Sequence, residues 1–295
     1  MKYLKREFYC ENVEKHLNSF FSFVWNNKVY VISRDKLSVV CYEPDKDTFE
    51  MLFNDDREKS FKCWNFYVCG DYAAFLSIEL NEIGMFNLHD NHMEWIGLPE
   101  EMKGVSRIAI SEDRIALYKK ETHTVYFLDR KANPIGKSVI LSDIDKFIKL
   151  YMTKEKTYLF GSKNGKKENF EIDNNTWNVE KKYLKNMVDA DIFYLNKVDD
   201  DLYAYELGDS AGYAYKAGKC LKYRLGNDAV ETVEWKTDDI GYEDTLINML
   251  KNDDAFLVEN KTHDIRFMIE HMNRNSNNVC SEDSSIGKNI YNQLD

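Results

Sequence analysis

The sequence predicts an all-β chain made of six repeats, each with roughly four short antiparallel strands. Short apolar runs alternate with turns rich in Gly, Asn and Asp, and the pattern recurs with a period in the low forties. Residues of these turn types accept the positive φ angles of tight hairpins, so the runs between them are predicted to be strands. The 295 residues include 19 Tyr and 17 Phe, which suits sheets packed face to face.

The clearest copy of the repeat lies at residues 157–184. Thr157–Phe160 is a run of β-branched and aromatic residues, a second run lies around Phe170–Ile172, and Trp177 opens a third. Polar turns at residues 161–165 and 173–175 separate these runs. We therefore predict that the unit is a sheet of antiparallel strands joined by hairpins.

The unit recurs along the chain, and an aromatic residue marks the same position in every copy. These residues are Tyr42, Phe86, Tyr126, Phe170, Tyr223 and Phe267, at steps of 44, 40, 44, 53 and 44 residues. A lone four-stranded sheet cannot bury both of its faces, but sheets stacked side by side can, so the units need one another. The period and the strand count together predict a six-bladed β-propeller.

We expect residues 1–295 to form one propeller domain. The blades are predicted at about residues 19–54, 63–99, 105–142, 146–185, 190–236 and 245–295. The last blade needs an outer strand, and three segments are alternatives: residues 1–10, which would close the ring, a segment at Val279, and Ile290–Leu294. Residues 13–24, 144–151 and 242–250 also have helical spacing, although the repeat favours a strand at residues 20–25.

The repeat resembles the kelch type of propeller repeat over about residues 20–272. The resemblance rests on the order strand, turn, aromatic, Asp, turn and Trp or Phe, at Tyr158–Trp177, Tyr30–Phe49 and Phe86–Trp95. Kelch repeats carry a Gly-Gly pair after the second strand, whereas here only Gly161 stands near that position. The resemblance implies a propeller architecture and no particular function.

Composition excludes several function classes. The formal net charge is −11 and no concentrated Lys/Arg run exists, which disfavours nucleic acids and anionic membranes as partners. No apolar run approaches the length of a membrane span, and the first 20 residues lack the apolar core of a secretory signal. We expect an acidic, cytoplasmic protein with no cofactor, whose six cysteines are free buried thiols.

One polar residue recurs in an apolar setting on the predicted first strand of each blade. The set is Ser22, Asn65, Arg107, Lys149, Asp191 and Asn248, with Asp191 the weakest fit. If the first strands line a central channel, two cations and several amides on one axis would hold a small anionic or sugar ligand by charge-assisted hydrogen bonds. The simpler interpretation, preferred on the sequence alone, is that these residues are merely solvated.

The fifth repeat carries a longer loop than the others, at Gly208–Lys219. It is rich in glycine and contains Tyr213, Tyr215, Lys216 and Lys219. Tyr supplies contact area at low entropic cost, so the loop is a candidate surface for a protein partner. The alternative is an ordinary tolerated insertion. Replacing Tyr213 and Tyr215 with Ala should weaken partner binding without unfolding the chain, if the loop has this role.

The remaining motif is His89-Asp90-Asn91-His92, in which two His stand three residues apart. No distant Cys or His cluster completes a metal site, so a hairpin turn is the preferred interpretation and we predict no metal. No catalytic motif is present. The sequence therefore predicts a non-enzymatic protein-binding module, and the alternative is an enzyme or small-molecule binder that uses the central channel.

Overall fold

The computed structural model describes residues 3–8, 20–34, 36–43, 46, 48–182, 192–198, 201–206, 219–224, 230–234, 245–249, 255–261 and 264–270. Within these ranges the regular structure is β-strand, apart from one short 3-10 helix at Glu100–Met102. No helix in the described ranges has the length and hydropathy needed to cross a membrane.

Twenty-four strands are described, and they form six antiparallel sheets of four strands. The strand β1 is Tyr3–Phe8. The first sheet contains β2 (Phe20–Trp25), β3 (Lys28–Ser33), β4 (Ser38–Glu43) and β5 (Thr48–Asn54). The second contains β6 (Asn65–Cys69), β7 (Tyr72–Ser77), β8 (Glu82–Asn87) and β9 (Met93–Gly97). The third contains β10 (Val105–Ile110), β11 (Arg114–Lys119), β12 (Thr124–Asp129) and β13 (Val139–Ile140).

The fourth sheet contains β14 (Lys146–Met152), β15 (Lys156–Lys163), β16 (Lys166–Asp173) and β17 (Val179–Lys182). The fifth contains β18 (Ile192–Val198), β19 (Asp201–Glu206), β20 (Lys219–Arg224) and β21 (Val230–Glu234). The sixth contains β22 (Thr245–Met249), β23 (Ala255–Lys261) and β24 (Asp264–Glu270), and β1 is its fourth strand. Of the three alternatives for that position, the structure has the N-terminal strand, which pairs with β24 from Tyr3 opposite Glu270 to Phe8 opposite Ile265.

The hairpin turns explain why the chain reverses where it does. Asn26 and Asn27 join β2 to β3 with φ angles of 47° and 58°. Asn164 and Gly165 join β15 to β16 with φ angles of 52° and 75°. Two successive positive φ angles match the twist of the flanking strands, and Asn and Gly adopt them at low cost.

In the first three sheets, the second and third strands are buried along most of their length. In β3 the last five residues are buried, as are the last five of β7 and the central four of β11. Because neighbouring residues of a strand point to opposite faces, unbroken burial requires that both faces of the sheet are covered. This explains why the strands are nearly continuous apolar runs rather than alternating ones.

The sheets divide between two compact units. One unit spans residues 1–54 and 190–295 and holds the first, fifth and sixth sheets; the other spans residues 55–189 and holds the second, third and fourth. Within the second of these units, β10 contacts both β6 and β14. Within the first, β2, β18 and β22 contact one another. In each unit, therefore, the first strands of the three sheets lie together.

A network of ion pairs and hydrogen bonds fixes residues 55–61, the segment that precedes β6. Asp55 is 1% exposed, accepts a hydrogen bond from the Phe61 amide (2.7 Å) and pairs with Arg57 (2.9 Å). The Arg57 guanidinium lies 3.6 Å from the centroid of the Trp95 ring and also pairs with Glu82 (3.0 Å). The network therefore gives the buried Asp55 carboxylate hydrogen-bond partners and places the Arg57 guanidinium over the Trp95 ring.

Three described cysteines are free thiols, as predicted. Cys41 and Cys63 are buried, and Cys69 is half-buried. Burial raises the pKa of the Cys41 thiol to about 11, so this thiol is protonated near neutral pH. The three residues therefore act as small apolar side chains.

Candidate functional site

Three polar residues occupy the same register position in three successive sheets of the unit at residues 55–189. Each lies on a first strand, opposite the fifth residue of the second strand. The pairs are Asn65 with Leu76, Arg107 with Tyr118, and Lys149 with Phe160. We call Asn65, Arg107 and Lys149 the first-strand cluster.

A β-bulge precedes two residues of the first-strand cluster, Arg107 and Lys149. The register shifts between Val105 and Arg107, and again between Phe147 and Lys149. In the second sheet, the amide of Trp64 donates to the carbonyl of Leu76 (2.8 Å), the residue that also faces Asn65. A bulge redirects the side chain that follows it and is frequent beside functional sites. Arg107 and Lys149 therefore follow the same irregularity on two first strands that contact each other.

Asn65 connects two of the sheets. Its Oδ1 accepts a hydrogen bond from the backbone amide of Ile108 on β10 (2.9 Å). Since β10 is the edge strand of its sheet, this amide has no partner within that sheet. The Asn65 side chain therefore replaces a missing strand contact and fixes β6 beside β10.

Arg107 is held by its surroundings on β10 and β14. One guanidinium nitrogen, Nη1, donates to the carbonyl of Ser106 (2.8 Å). The guanidinium carbon lies 5.9 Å from the ring centroid of Phe147, within cation–π range. Phe147 in turn stacks on Tyr118, with ring centroids 4.1 Å apart and planes at 19°. The aromatic pair therefore orients the Arg107 side chain.

The Tyr118 hydroxyl lies 2.8 Å from Nδ1 of His123, in the turn between β11 and β12. Tyr118 is 1% exposed, and burial raises the pKa of its hydroxyl, while the positive charge of Arg107 opposes the rise. Sequence reasoning missed this pair, because no local pattern places a turn histidine over a strand tyrosine that faces an arginine of another strand.

Lys149 is half-buried beside Arg107. Burial, and secondly the positive charge of Arg107, lower the pKa of the Lys149 ammonium from 10.5 to about 8. Other lysines behave differently: a hydrogen bond to a carboxylate raises the pKa of Lys156 beside Glu171 and that of Lys163 beside Asp143. Among the residues that the structure describes, no carboxylate pairs with Lys149.

A buried tyrosine joins β6 to β14 further along the first strands. The Tyr67 hydroxyl accepts a hydrogen bond from the Met152 amide (3.0 Å) and donates to the Met152 carbonyl (3.2 Å). The rings of Tyr67 and Tyr151 lie 5.7 Å apart between centroids. Burial raises the pKa of Tyr67 well above 10. The structure therefore ties the second sheet to the fourth at this point.

Two other predicted channel residues, Ser22 and Asn248, belong to the unit of residues 1–54 and 190–295 and do not hold the equivalent register position there. Ser22 pairs with Val31, whereas the register position equivalent to Arg107 belongs to Phe21, opposite Ile32. Asn248 pairs with Phe256 on β23. Asp191 lies outside the described residues. In the fifth sheet the position after the bulge is held by Tyr194, opposite Tyr205.

The predicted partner-binding loop falls almost wholly outside the described residues. Tyr213, Tyr215 and Lys216 are among those that are not described, and Lys219 is the first residue of β20, opposite Glu234. The role of the loop in binding stays a prediction.

The His89–His92 segment forms a turn between β8 and β9. The His89 amide donates to Oδ1 of Asn87 (2.9 Å), and the His92 amide donates to Oδ1 of Asp90 (3.0 Å). His89 Nε2 lies 3.1 Å from a carboxylate oxygen of Asp71. Across the described ranges, no three His, Cys, Asp or Glu residues come together as a metal-ion cluster would require.

Solved structures of other proteins share this fold. "Streptogramin B lyase structure" aligns with a TM-score of 0.60 at 12% identity, covering 92% of this chain and 98% of that one. Virginiamycin B lyase from Staphylococcus aureus aligns with a TM-score of 0.51 at 10% identity, covering 90% and 99%. A chain of the Mitotic Checkpoint Complex aligns with a TM-score of 0.52 at 7% identity, covering 92% and 91%.

No protein-family model and no curated protein sequence matches the chain. The structural matches are β-propeller proteins, and the chain has four-stranded antiparallel sheets like theirs. The chain therefore has a β-propeller type of architecture. At these identities the comparisons establish the fold alone, and the kelch-like resemblance stays a prediction.

Proposed function

We propose that this chain is a β-propeller binding protein that holds a small anionic ligand at the first-strand cluster. One observation carries the proposal: Arg107 and Lys149 carry two positive charges at equivalent, bulged positions of adjacent first strands. Their charges interact, since that of Arg107 lowers the pKa of Lys149. Asn65 adds an amide at the third equivalent position.

Two like charges lie close together at the first-strand cluster. Lys149 is partly removed from water and is repelled by Arg107, so its charged form raises the free energy of the folded chain. A carboxylate or phosphate between Arg107 and Lys149 turns repulsion into attraction and accepts charge-assisted hydrogen bonds. Arginine also presents paired donors that match two oxygens of one anion. An anionic small molecule is therefore the ligand that best suits the cluster.

We also propose that the six sheets are the blades of one six-bladed, kelch-like propeller spanning residues 1–295. The support is the recurrence of the unit in the sequence, the six four-stranded sheets, and the extent of the alignment with the streptogramin B lyase structure. In such a propeller the first strands line a central channel, which is the usual place for a ligand.

The matched structures extend the range of roles. Two of them are named as lyases and one is named as a complex, so the fold is compatible with chemistry or with a protein partner. The loop at Gly208–Lys219 remains the predicted surface for a protein partner. The anion-binding proposal is preferred because described residues carry it.

Isothermal titration calorimetry of the full chain with acetate, pyruvate, citrate and inorganic phosphate tests the proposal. We expect at least one of these anions to bind, and the Arg107→Met/Lys149→Met double variant to bind it about tenfold to a hundredfold more weakly. Affinity should also fall as the pH rises through about 8, because Lys149 then loses its proton.

The matched control is Lys120→Met/Lys131→Met, which removes the same formal charge from two exposed lysines. This control should bind the anion as the unmodified chain does. An equal loss of anion affinity in both double variants would show that net charge alone controls binding and would overturn the proposed site. Unchanged anion affinity in the Arg107→Met/Lys149→Met variant would also overturn the proposal.

A further inference from the structure

We infer that Lys149 is a nucleophilic amine that forms an imine with a small oxo acid, whose carboxylate is held beside Arg107. This inference rests on the proposed anion-binding function and adds the substrate class. A 2-oxo acid such as pyruvate carries its carbonyl carbon directly next to its carboxylate. When Arg107 binds the carboxylate, the carbonyl carbon therefore lies close to the neighbouring Lys149 side chain.

Three features of the site separate Lys149 from the other described lysines. It follows a bulge on a first strand, where it neighbours a second cation rather than a carboxylate. Lys28, Lys156 and Lys163 each form an ion pair with a carboxylate, at 2.5, 2.6 and 2.7 Å. A paired lysine holds its proton and reacts slowly, whereas a half-buried lysine beside another cation gives it up readily.

The lowered pKa supports the chemistry. With a pKa of about 8, about a quarter of Lys149 is neutral at about pH 7.5, whereas an ordinary lysine is neutral to roughly 0.1%. The lone pair of the neutral amine is what attacks a carbonyl carbon. Desolvation and a neighbouring cation are the two means by which proteins activate a lysine for this reaction.

The surroundings of Arg107 suit the second role, which is to hold the carboxylate. The guanidinium donates to the Ser106 carbonyl at 2.8 Å and its carbon lies 5.9 Å from the centroid of the Phe147 ring, which stacks on Tyr118. A side chain that is already ordered loses little conformational freedom when it binds an anion. Arg107 is therefore a binding residue that orients the oxo acid, and Lys149 is the reacting group.

The reaction balances without an oxidant or a reductant. The Lys149 Nζ lone pair adds to the carbonyl carbon, a C–N bond forms, and the carbonyl π electrons move to oxygen. One proton then passes from nitrogen to this oxygen through water, which gives a neutral carbinolamine. The second nitrogen proton passes to the hydroxyl in the same way, the C–O bond breaks, water leaves, and a C=N bond remains. One amine and one oxo acid thus give one imine and one water.

Borohydride trapping with pyruvate tests the inference on the intact protein. Borohydride delivers hydride to the imine carbon and leaves a stable 1-carboxyethyl group on the lysine, which peptide mass spectrometry locates. We expect labelling at Lys149 about tenfold above that at the exposed Lys154, and a labelling rate that rises from about pH 7 to about pH 9.

Two comparisons make the result specific. Acetone, a ketone without a carboxylate, should label Lys149 much less than pyruvate, and Arg107→Met should reduce labelling by pyruvate. Lys149→Arg keeps a positive charge but removes the primary amine, so label at this position should disappear. Equal labelling of Lys149 and exposed lysines, or by acetone and pyruvate, would overturn the inference.

Calorimetry with pyruvate on the same preparation separates the two proposals. Binding without label at Lys149 would overturn imine formation and leave anion binding standing. If no anion binds and Lys149 is not labelled, both proposals fail.

Discussion

Tyr67→Phe removes a single hydroxyl that serves two backbone groups at once. The Tyr67 hydroxyl accepts from the Met152 amide (3.0 Å) and donates to the Met152 carbonyl (3.2 Å). Because β14 is an edge strand of its sheet, these two groups point away from β15 and have no strand to pair with. The variant keeps the ring and so tests the hydrogen bonds without opening a large cavity.

The expected loss of stability comes from the Met152 amide and the Met152 carbonyl, which both lose their hydrogen-bond partner. Leaving a buried donor or acceptor unsatisfied costs about 1–3 kcal/mol, so the loss of both partners should lower the free energy of unfolding by about 2–6 kcal/mol. With a urea m-value of about 3 kcal/mol per molar, the midpoint should fall by about 1–2 M. Tyr67 is 7% exposed, which limits replacement of the hydroxyl by water.

Urea denaturation followed by tryptophan fluorescence measures this difference. Tyr158→Phe is the matched control, because Tyr158 is half-buried and its hydroxyl has no hydrogen bond among the described residues. We expect the control to change the free energy of unfolding by less than about 0.5 kcal/mol. Equal midpoints for the two variants would refute the assignment of Tyr67 as a structural tie between β6 and β14.

Two further predictions concern packing and charge. Gly84→Ala should lower the free energy of unfolding by about 1–3 kcal/mol, because its Cβ would lie 2.9 Å from Cζ3 of Trp95 and 3.1 Å from Sδ of Met93. Lys149→Met should remove a rise in stability between about pH 8 and about pH 10.5. The pKa of Lys149 is lowered to about 8 in the folded chain, so the unfolded chain binds more protons in this window and stability increases with pH.

Controls for these two predictions come from the same chain. A Cβ at Gly97 would have no atom within 4 Å, so Gly97→Ala should leave the urea midpoint almost unchanged. Equal urea midpoints for Gly84→Ala and Gly97→Ala would contradict the expected clash at Gly84. For the charge prediction, the stability difference between the unmodified chain and Lys149→Met should change by about 3 kcal/mol across the window. Parallel pH profiles would show that Lys149 titrates as an ordinary lysine.

Much of the local structure was predictable from the sequence, because it depends on neighbouring residues. The six repeats predicted six groups of strands, and the structure has six four-stranded antiparallel sheets. The hairpin at Asn26 and Asn27 follows from the ability of Asn to adopt positive φ angles. The apolar spacing of residues 13–24 fits a helix, but the repeat favours a strand at residues 20–25. The structure has a strand there, Phe20–Trp25.

The candidate site was only partly predictable. The pattern of one polar residue in an apolar run selected Asn65, Arg107 and Lys149, which share a register position. The same pattern also selected Ser22, which lies one residue away from the equivalent position. A shift of one residue moves a side chain to the other face of a strand, and no local sequence feature distinguishes the two.

The sequence by itself determined the strand order, the turns and the repeat, because hairpin formation depends on residues a few positions apart. Tertiary structure alone decided which side chains meet. Tyr67 reaches Met152 from 85 residues away, and the lowered pKa of Lys149 depends on burial and on Arg107 in the neighbouring sheet. Burial and charge proximity exist only once the sheets pack, so no pattern along the chain contains them.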